Sequence, residues 1–458
     1  MSTHLAHLTQ LLLPTGVPGL DDVLGGGLPE SSLTVIGGGP GTGKSTLAHE
    51  ILMANVSNER PGVYFFGPGQ RCLELANADI HDIYLGDQLG ERDASRVLDL
   101  LVRETYNSHA CIVVVDLVRG LTHPAVWDDI VLYLTTCGAT SLLIADSHES
   151  DVASSAADVV VWLRQSSSAG GARTLQVVKA RGQEPLPGRH AMRIADEGMQ
   201  LFPRWPTPRR RVERWRSPTR LSVGIDELDQ LLGGGAPAAG SVLVEGPSGS
   251  GKSILATQFI TECGHDGYPG VVLLFEERPD RFIDRAEGMN LQLERLKRCG
   301  IIDVLSFRGR DLSADELIYE VLRAVTQVGA RCAVIDSTAG LELILNSDNV
   351  VDCLWRLLDA LSGMGVTVWL NDTPAPATRP SLRSFADDVI ELQRVERDGH
   401  LEKRLEVVKV SCRASIAGAH QYEIGERGVE LVTRIHDAEH ASNGHVIGYN
   451  GFAVSSST

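Results

Sequence analysis

The chain has 458 residues, more than one hydrophobic core usually organises, so two domains of roughly 200 residues each are expected. Hydrophobic residues at 43% and charged residues at 22% exclude a disordered or fibrous chain, and a net charge of −17 disfavours a nonspecific nucleic-acid binder. The eight cysteines contain no C-x-x-C pair, which argues against a zinc ribbon or a disulfide framework and for reduced thiols.

The opening MSTHLAHLTQ lacks the charged-then-apolar order of a secretory signal, and no apolar run reaches the roughly 20 residues of a membrane helix. A cytoplasmic protein with no membrane association is therefore expected. Short β-branched runs follow at Leu33 to Ile36, Val63 to Phe66, Ile112 to Val115 and Ser141 to Ala145, separated by helix-like stretches. Such alternation predicts an α/β domain with a mostly parallel, buried sheet flanked by helices. Residues 204–220, RWPTPRRRVERWRSPTR, read as a linker. The polar, Gly/Ser-rich tail after about Val432 reads as loosely ordered.

The chain repeats itself. Gly16 to Ser45 aligns without a gap on Gly224 to Ser253, 208 residues later, and the register holds through Pro61-Gly62-Val63 and Pro269-Gly270-Val271. A second gapless stretch pairs Asp158, Arg164 and Lys179 with Asp388, Arg394 and Lys409 at an offset of 230. The expected domains are 1–203 and 219–435, joined by a linker at 204–218 and followed by a tail at 436–458.

Both copies carry G-x4-G-K-[ST] between a predicted strand and a helix-like run. The first is Gly38, Gly39, Pro40, Gly41, Thr42, Gly43, Lys44 and Ser45, with Thr46 next. The second is Gly246, Pro247, Ser248, Gly249, Ser250, Gly251, Lys252 and Ser253. Glycines let backbone amides converge on phosphate oxygens, the helix directs its N-terminus at the anion, and the lysine neutralises phosphate charge. ATP is the expected ligand, with Mg2+ held by Ser45 and Asp116 in one copy and Ser253 and Asp336 in the other. Each aspartate ends an apolar strand expected beside the loop strand.

The copies differ where chemistry would be done. The second reads Phe275-Glu276-Glu277-Arg278 where the first has Gly67-Pro68-Gly69-Gln70, so only the second has carboxylates to orient and deprotonate water. Glu276, Glu277 and Lys252 are therefore the expected catalytic set. Conversely, Lys179-Ala180-Arg181-Gly182 faces Lys409-Val410-Ser411-Cys412, so the first copy keeps two cations and the second one. Lys179 and Arg181, two apart on a strand, would share a face and could reach one anion.

These features resemble the KaiC ATPases and their wider relatives in the RecA/RadA branch of P-loop proteins. The resemblance spans about residues 14–432. It rests on T-G-V-P-G-L-D-D-V-L-G-G-G-L-P at 15–29, both loops, F-E-E-R-P at 275–279, I-D-S at 335–337 and K-A-R-G at 179–182. It implies tandem RecA-like domains in a hexameric ring, catalytic paired glutamates, and Lys179, Arg181 and Lys409 as trans-acting contacts on a neighbour's nucleotide. It also implies an autokinase step, for which position points to Ser384, and an unknown regulatory protein partner. Ser411 replaces the expected second-copy arginine, a loss for which Arg413 could compensate. The competing readings are a DNA-acting recombinase or helicase relative, with the linker arginines as its contact surface, and a nucleotide-gated scaffold with little turnover.

Overall fold

A computed structural model describes residues 11–67, 79–85, 94–116, 124–145, 150–166, 172–204, 220–309, 312–345, 350–374, 381–397, 400–411 and 418–434. The chain divides into two compact units, Met1–Arg209 with Leu312–Glu320, and Arg210–Asp311 with Val321–Thr458. Pro68, Gly69, Arg413, the linker arginines 209 to 216 and the tail from 436 lie outside the described residues.

Among the described residues of the first unit, a two-stranded ribbon, β1 (Leu12–Leu13) with β2 (Leu28–Pro29), precedes a nine-stranded sheet. Its strands are β3 (Leu33–Gly38), β4 (Gly62–Phe66), β5 (Ile80–Tyr84), β6 (Ile112–Asp116), β7 (Thr140–Ala145), β8 (Val159–Gln165), β9 (Arg173–Ala180), β10 (His190–Ala195) and β11 (Gly198–Phe202). Across the sheet they run β5, β4, β6, β7, β3, β8, β9, β10, β11. The six from β5 to β8 are parallel, and β9 to β11 extend the sheet antiparallel.

The second unit repeats this plan. After a ribbon of β12 (Arg220–Leu221) and β13 (Ala236–Pro237) come β14 (Ser241–Glu245), β15 (Gly270–Leu274), β16 (Ile302–Ser306), β17 (Cys332–Asp336), β18 (Thr367–Asp372), β19 (Asp388–Arg397), β20 (His400–Lys409), β21 (Ala419–Gly425) and β22 (Gly428–Arg434). Their spatial order is β16, β15, β17, β18, β14, β19, β20, β21, β22, the same sequence of equivalents. These are two tandem RecA-like α/β domains.

The central strands are apolar throughout because both faces are covered. Every residue of β3, β6, β14 and β17 is buried. The loop helices Lys44–Asn55 and Lys252–His265 lie across one face of their sheets, and in the second unit Phe259 stacks on the indole of Trp369 at 5.1 Å, both fully buried. Such a pair adds about 1 kcal/mol beyond its buried area.

Two expectations are corrected by the registers. The strands ending in Asp116 and Asp336 are not beside the loop strands, because β7 and β18 intervene. The loop helix packs on both the intervening strand and the aspartate strand, and in the first unit its Ser45 reaches Asp116. The gapless offset of 230 also fails at β8 and β19. Thr34 pairs with Val159 and its equivalent Val242 pairs with Asp388, so the counterpart of Asp158 is Asp387. Hydrogen bonding agrees: Asp158 accepts from the Leu33 amide at 3.2 Å, and Asp387 from the Ser241 amide at 2.9 Å. The offset returns to 230 at Lys179 and Lys409, which pair with Val160 and Val389. The second copy has therefore gained one residue between these two strands, where a sequence comparison has no hydrogen-bond register to detect it.

Candidate nucleotide sites

Each loop leaves the C-terminal end of its strand and turns into its helix through a glycine with positive φ, Gly43 at 103° and Gly251 at 105°. A side chain there would also collide with the β-hairpin behind. A Cβ on Gly43 would lie 2.6 Å from Ile194 Cδ1, and one on Gly251 would lie 2.9 Å from Ile424 Cδ1. The last glycine of each motif is thus required twice, by dihedral and by packing.

In both loops the lysine ammonium turns inward onto loop carbonyls. Lys44 Nζ donates to Gly38 O at 2.6 Å and Gly39 O at 3.0 Å, and Lys252 Nζ to Gly246 O at 2.5 Å and Pro247 O at 3.1 Å. Thr42 donates to Gly39 O at 2.8 Å, bracing the first loop from within. In the second, Tyr422 donates to Ser250 O at 2.5 Å, and burial pushes its phenol up to about 12, so it stays a donor at neutral pH. The Ser250 hydroxyl is buried and has no partner among the described residues.

The first site is spare. Ser45 Oγ donates to Asp116 Oδ2 at 2.6 Å and Tyr64 OH donates to the same oxygen at 3.0 Å, with the aspartate buried at the end of β6. Strand pairing thus brings together the hydroxyl and carboxylate expected to hold magnesium. Thr46 follows on the helix, half-buried.

In the second site, described residues bring three carboxylates to the loop lysine. Burial lowers the pKa of Lys252, while the carboxylates of Asp336, Asp372 and Glu276 act in the opposite direction. Asp372, buried at the end of β18, accepts a hydrogen bond from the Thr338 hydroxyl, and its backbone carbonyl accepts from the Gly246 amide at 3.3 Å. No motif singles out Asp372; the only sign of it in the sequence is a strand ending in Asn-Asp. Its equivalent by register is Ala145, since Leu33 pairs with Ser141 and Ser241 with Val368. A further acidic pair flanks the loop strand. Arg383 donates to Glu245 at 2.5 Å and to Glu391 at 2.7 Å, whereas the corresponding positions of the first copy are Gly37 and Trp162, with the indole packed directly on the glycine.

The paired glutamates separate. Glu276 is exposed and lies in the field of Lys252, its Cγ so near the helix Thr338–Leu345 that a Cβ on Gly340 would lie 2.6 Å away. Glu277 accepts from Arg285 Nη1 at 2.8 Å, and that guanidinium lies 5.0 Å from the centre of the Phe282 ring. The charge of Glu276 therefore acts on the loop lysine, whereas Glu277 is anchored by Arg285.

The residues expected to act in trans have local partners. Lys179 Nζ donates to Ser154 O at 3.1 Å and Ser155 O at 2.9 Å, and Lys409 Nζ to Ala386 O at 2.6 Å and Arg383 O at 3.4 Å. Arg181 is not on the strand with Lys179, because β9 ends at Ala180. It lies in the following turn, exposed, and pairs with Asp158 at 3.2 Å. Its charge still reaches Lys179, adding to the burial that lowers the lysine's pKa. Ser411 donates to Asp387 O at 2.7 Å.

Both sites fit a magnesium–nucleotide pair chemically. Among the described residues no group of three or more His, Cys, Asp and Glu forms a metal cage. In the first site the Ser45 hydroxyl and the Asp116 carboxylate meet beside the loop, and in the second Ser253 stands in the first turn of the loop helix while Asp336 acts on Lys252, so each offers the partial oxygen set that Mg2+ completes with phosphate oxygens and water. Likewise, among the described residues no helix is long and apolar enough to cross a membrane.

A family model described as the KaiC ATPase matches residues 13–65 and 221–435, together more than half of the chain. The chain is 21% identical to the circadian clock oscillator protein KaiC of Picosynechococcus sp., over 94% of this chain and 91% of that one. It is 22% identical to the KaiC of Thermosynechococcus vestitus over 92% and 88% of the two chains, and 23% identical to the circadian clock protein KaiC2 of Synechocystis sp. over 94% and 83%. The family match skips most of the first unit beyond β4, the half in which the acidic residues are replaced.

Proposed function

The chain belongs to the KaiC family of ATPases, and from that premise we propose that it binds ATP with Mg2+ in both halves and hydrolyses it mainly in the second. The observation that carries this reading is the unequal set of acids. Lys252 has Asp336, Asp372 and Glu276 about it, whereas the first copy offers Asp116 but an alanine at the position of Asp372. ATP supplies the γ-phosphoryl group that is transferred. The loop amides and Lys252 bind and orient the phosphates, Ser253 and Asp336 would hold the magnesium that neutralises phosphate charge, and Glu276 with Glu277 orients and deprotonates the attacking water. Phosphate release from Lys44→Ala and Lys252→Ala variants tests the division.

The first site serves assembly. Its loop, Ser45 and Asp116 suffice to hold a nucleotide, and a ring of subunits, six by analogy with the family, would bring Lys179, Arg181 and Lys409 to a neighbour's phosphates. Reaching them requires exchange of the present carbonyl and carboxylate partners for phosphate oxygens. The role is regulatory, with the nucleotide state read by a protein partner.

An autokinase step at Ser384 would run between subunits. Ser384 lines a cavity of about 290 Å³ with Gly240 and Ser241, at the start of β14, whereas the loop begins after Glu245 at its far end. Its hydroxyl donates to Ser381 O at 3.2 Å. Incubation with ATP and magnesium is expected to add a single phosphate that Ser384→Ala abolishes; an intact mass without any addition removes this step.

A further inference from the structure

Strand β19 flanks the loop strand on the side opposite β18 and brings another cation to the second loop. A Cβ built on Gly249 would lie 2.5 Å from Arg394 Nη2 and 3.6 Å from its Cζ, so the guanidinium rests on the backbone of the loop itself. Arg394 is exposed, and its side chain makes no hydrogen bond or ion pair among the described residues. Its charge nevertheless reaches Lys252, whose pKa it helps to lower, and Tyr422, the phenol bonded to Ser250. Two cations on one short loop repel each other unless an anion lies between them.

The first copy lacks this charge. The register that equates Val159 with Asp388 equates Gln165 with Arg394, and Gln165 occupies the matching place: a Cβ on Gly41 would meet Gln165 Oε1 at 3.9 Å. We infer that Arg394 is a nucleotide-binding residue of the second site, donating from its guanidinium to the phosphate oxygens of a nucleoside di- or triphosphate held by the same subunit. A guanidinium matches phosphate with a planar fork of donors and a fixed charge, which a neutral glutamine cannot supply. This assignment rests on the reading of Gly246 to Ser253 as an ATP site.

The full-length chain is titrated with a fluorescent ADP in magnesium buffer, with Lys44→Ala silencing the first site so that the second is observed alone. In that background Arg394→Gln is expected to weaken binding about tenfold, the loss of one charge-assisted contact, and Arg394→Lys to retain most of the affinity. With Lys252→Ala silencing the second site, Gln165→Arg is expected to tighten the first severalfold, a gain that an arginine of purely structural use would not transfer. An unchanged Kd for Arg394→Gln, or no gain from Gln165→Arg, overturns the assignment while leaving the nucleotide site standing. If the Lys44→Ala parent itself binds no fluorescent ADP, the second-site reading fails and the role of Arg394 with it.

Discussion

Exchanging Glu276 and Glu277 together for glutamine is expected to lower steady-state phosphate release by about 100-fold or more, the usual contribution of a positioned general base. Glutamine keeps the size and shape of the side chain and one acceptor oxygen, which can still take the Arg285 hydrogen bond, and removes the charge and basicity, so the fold should survive. Nucleotide affinity should hold or rise, because the negative charge of Glu276 acts on Lys252 and would also oppose the phosphates bound there. The anchoring of Glu277 by Arg285 argues for replacing both at once. A single exchange leaves one carboxylate beside the loop to take over. Phosphate release measured at saturating ATP, with affinity measured separately, distinguishes lost chemistry from lost binding. A double variant that turns over like the wild type would remove the glutamates from the mechanism.

Lys44→Ala is expected to abolish the ATP-dependent assembly of the ring. Lys44 is nearly fully buried and holds Gly38 and Gly39 from inside the loop. Its ammonium is the charge that would exchange these carbonyls for phosphate, and losing it should weaken ATP binding on the order of 100-fold. Assembly should fail with it, because a neighbour's Lys179 and Arg181 would then have no anion to reach. Native mass spectrometry with and without ATP reads this directly. Lys252→Ala should still assemble, and a Lys44→Ala chain that forms rings as readily as the wild type would contradict the assembly role.

Much of this was legible in the chain. The loops declare themselves because phosphate binding by backbone demands glycine at fixed steps, and Gly43 and Gly251 carry the positive φ that the motif requires. The central strands are legible because burial on both faces leaves uninterrupted β-branched runs, so Leu33 to Ile36 and Ile112 to Val115 fall inside β3 and β6. Charge asymmetry between the copies was visible at Glu276 and Glu277, since both follow within a few residues of a gapless alignment.

What was not legible depends on strand order and register. Asp372 and Arg394 approach Lys252 from β18 and β19, the two neighbours of β14, although they lie 120 and 142 residues along the chain. No local pattern encodes that approach. The inserted residue between β19 and β20 displaced the alignment by one, which made Arg164 look like the partner of Arg394 and hid Gln165. Arg181 leaves the strand because β9 ends one residue earlier, and a two-residue periodicity has no means of marking where a ladder stops.

The central claim is that chemistry belongs to the second loop and assembly to the first. Steady-state phosphate release from Lys252→Ala at saturating ATP, on rings verified by native mass spectrometry, tests it most directly. The expected result is intact rings whose turnover falls to the level of the Glu276→Gln/Glu277→Gln variant; intact rings that keep half or more of the wild-type rate would place hydrolysis in the first domain and contradict the account.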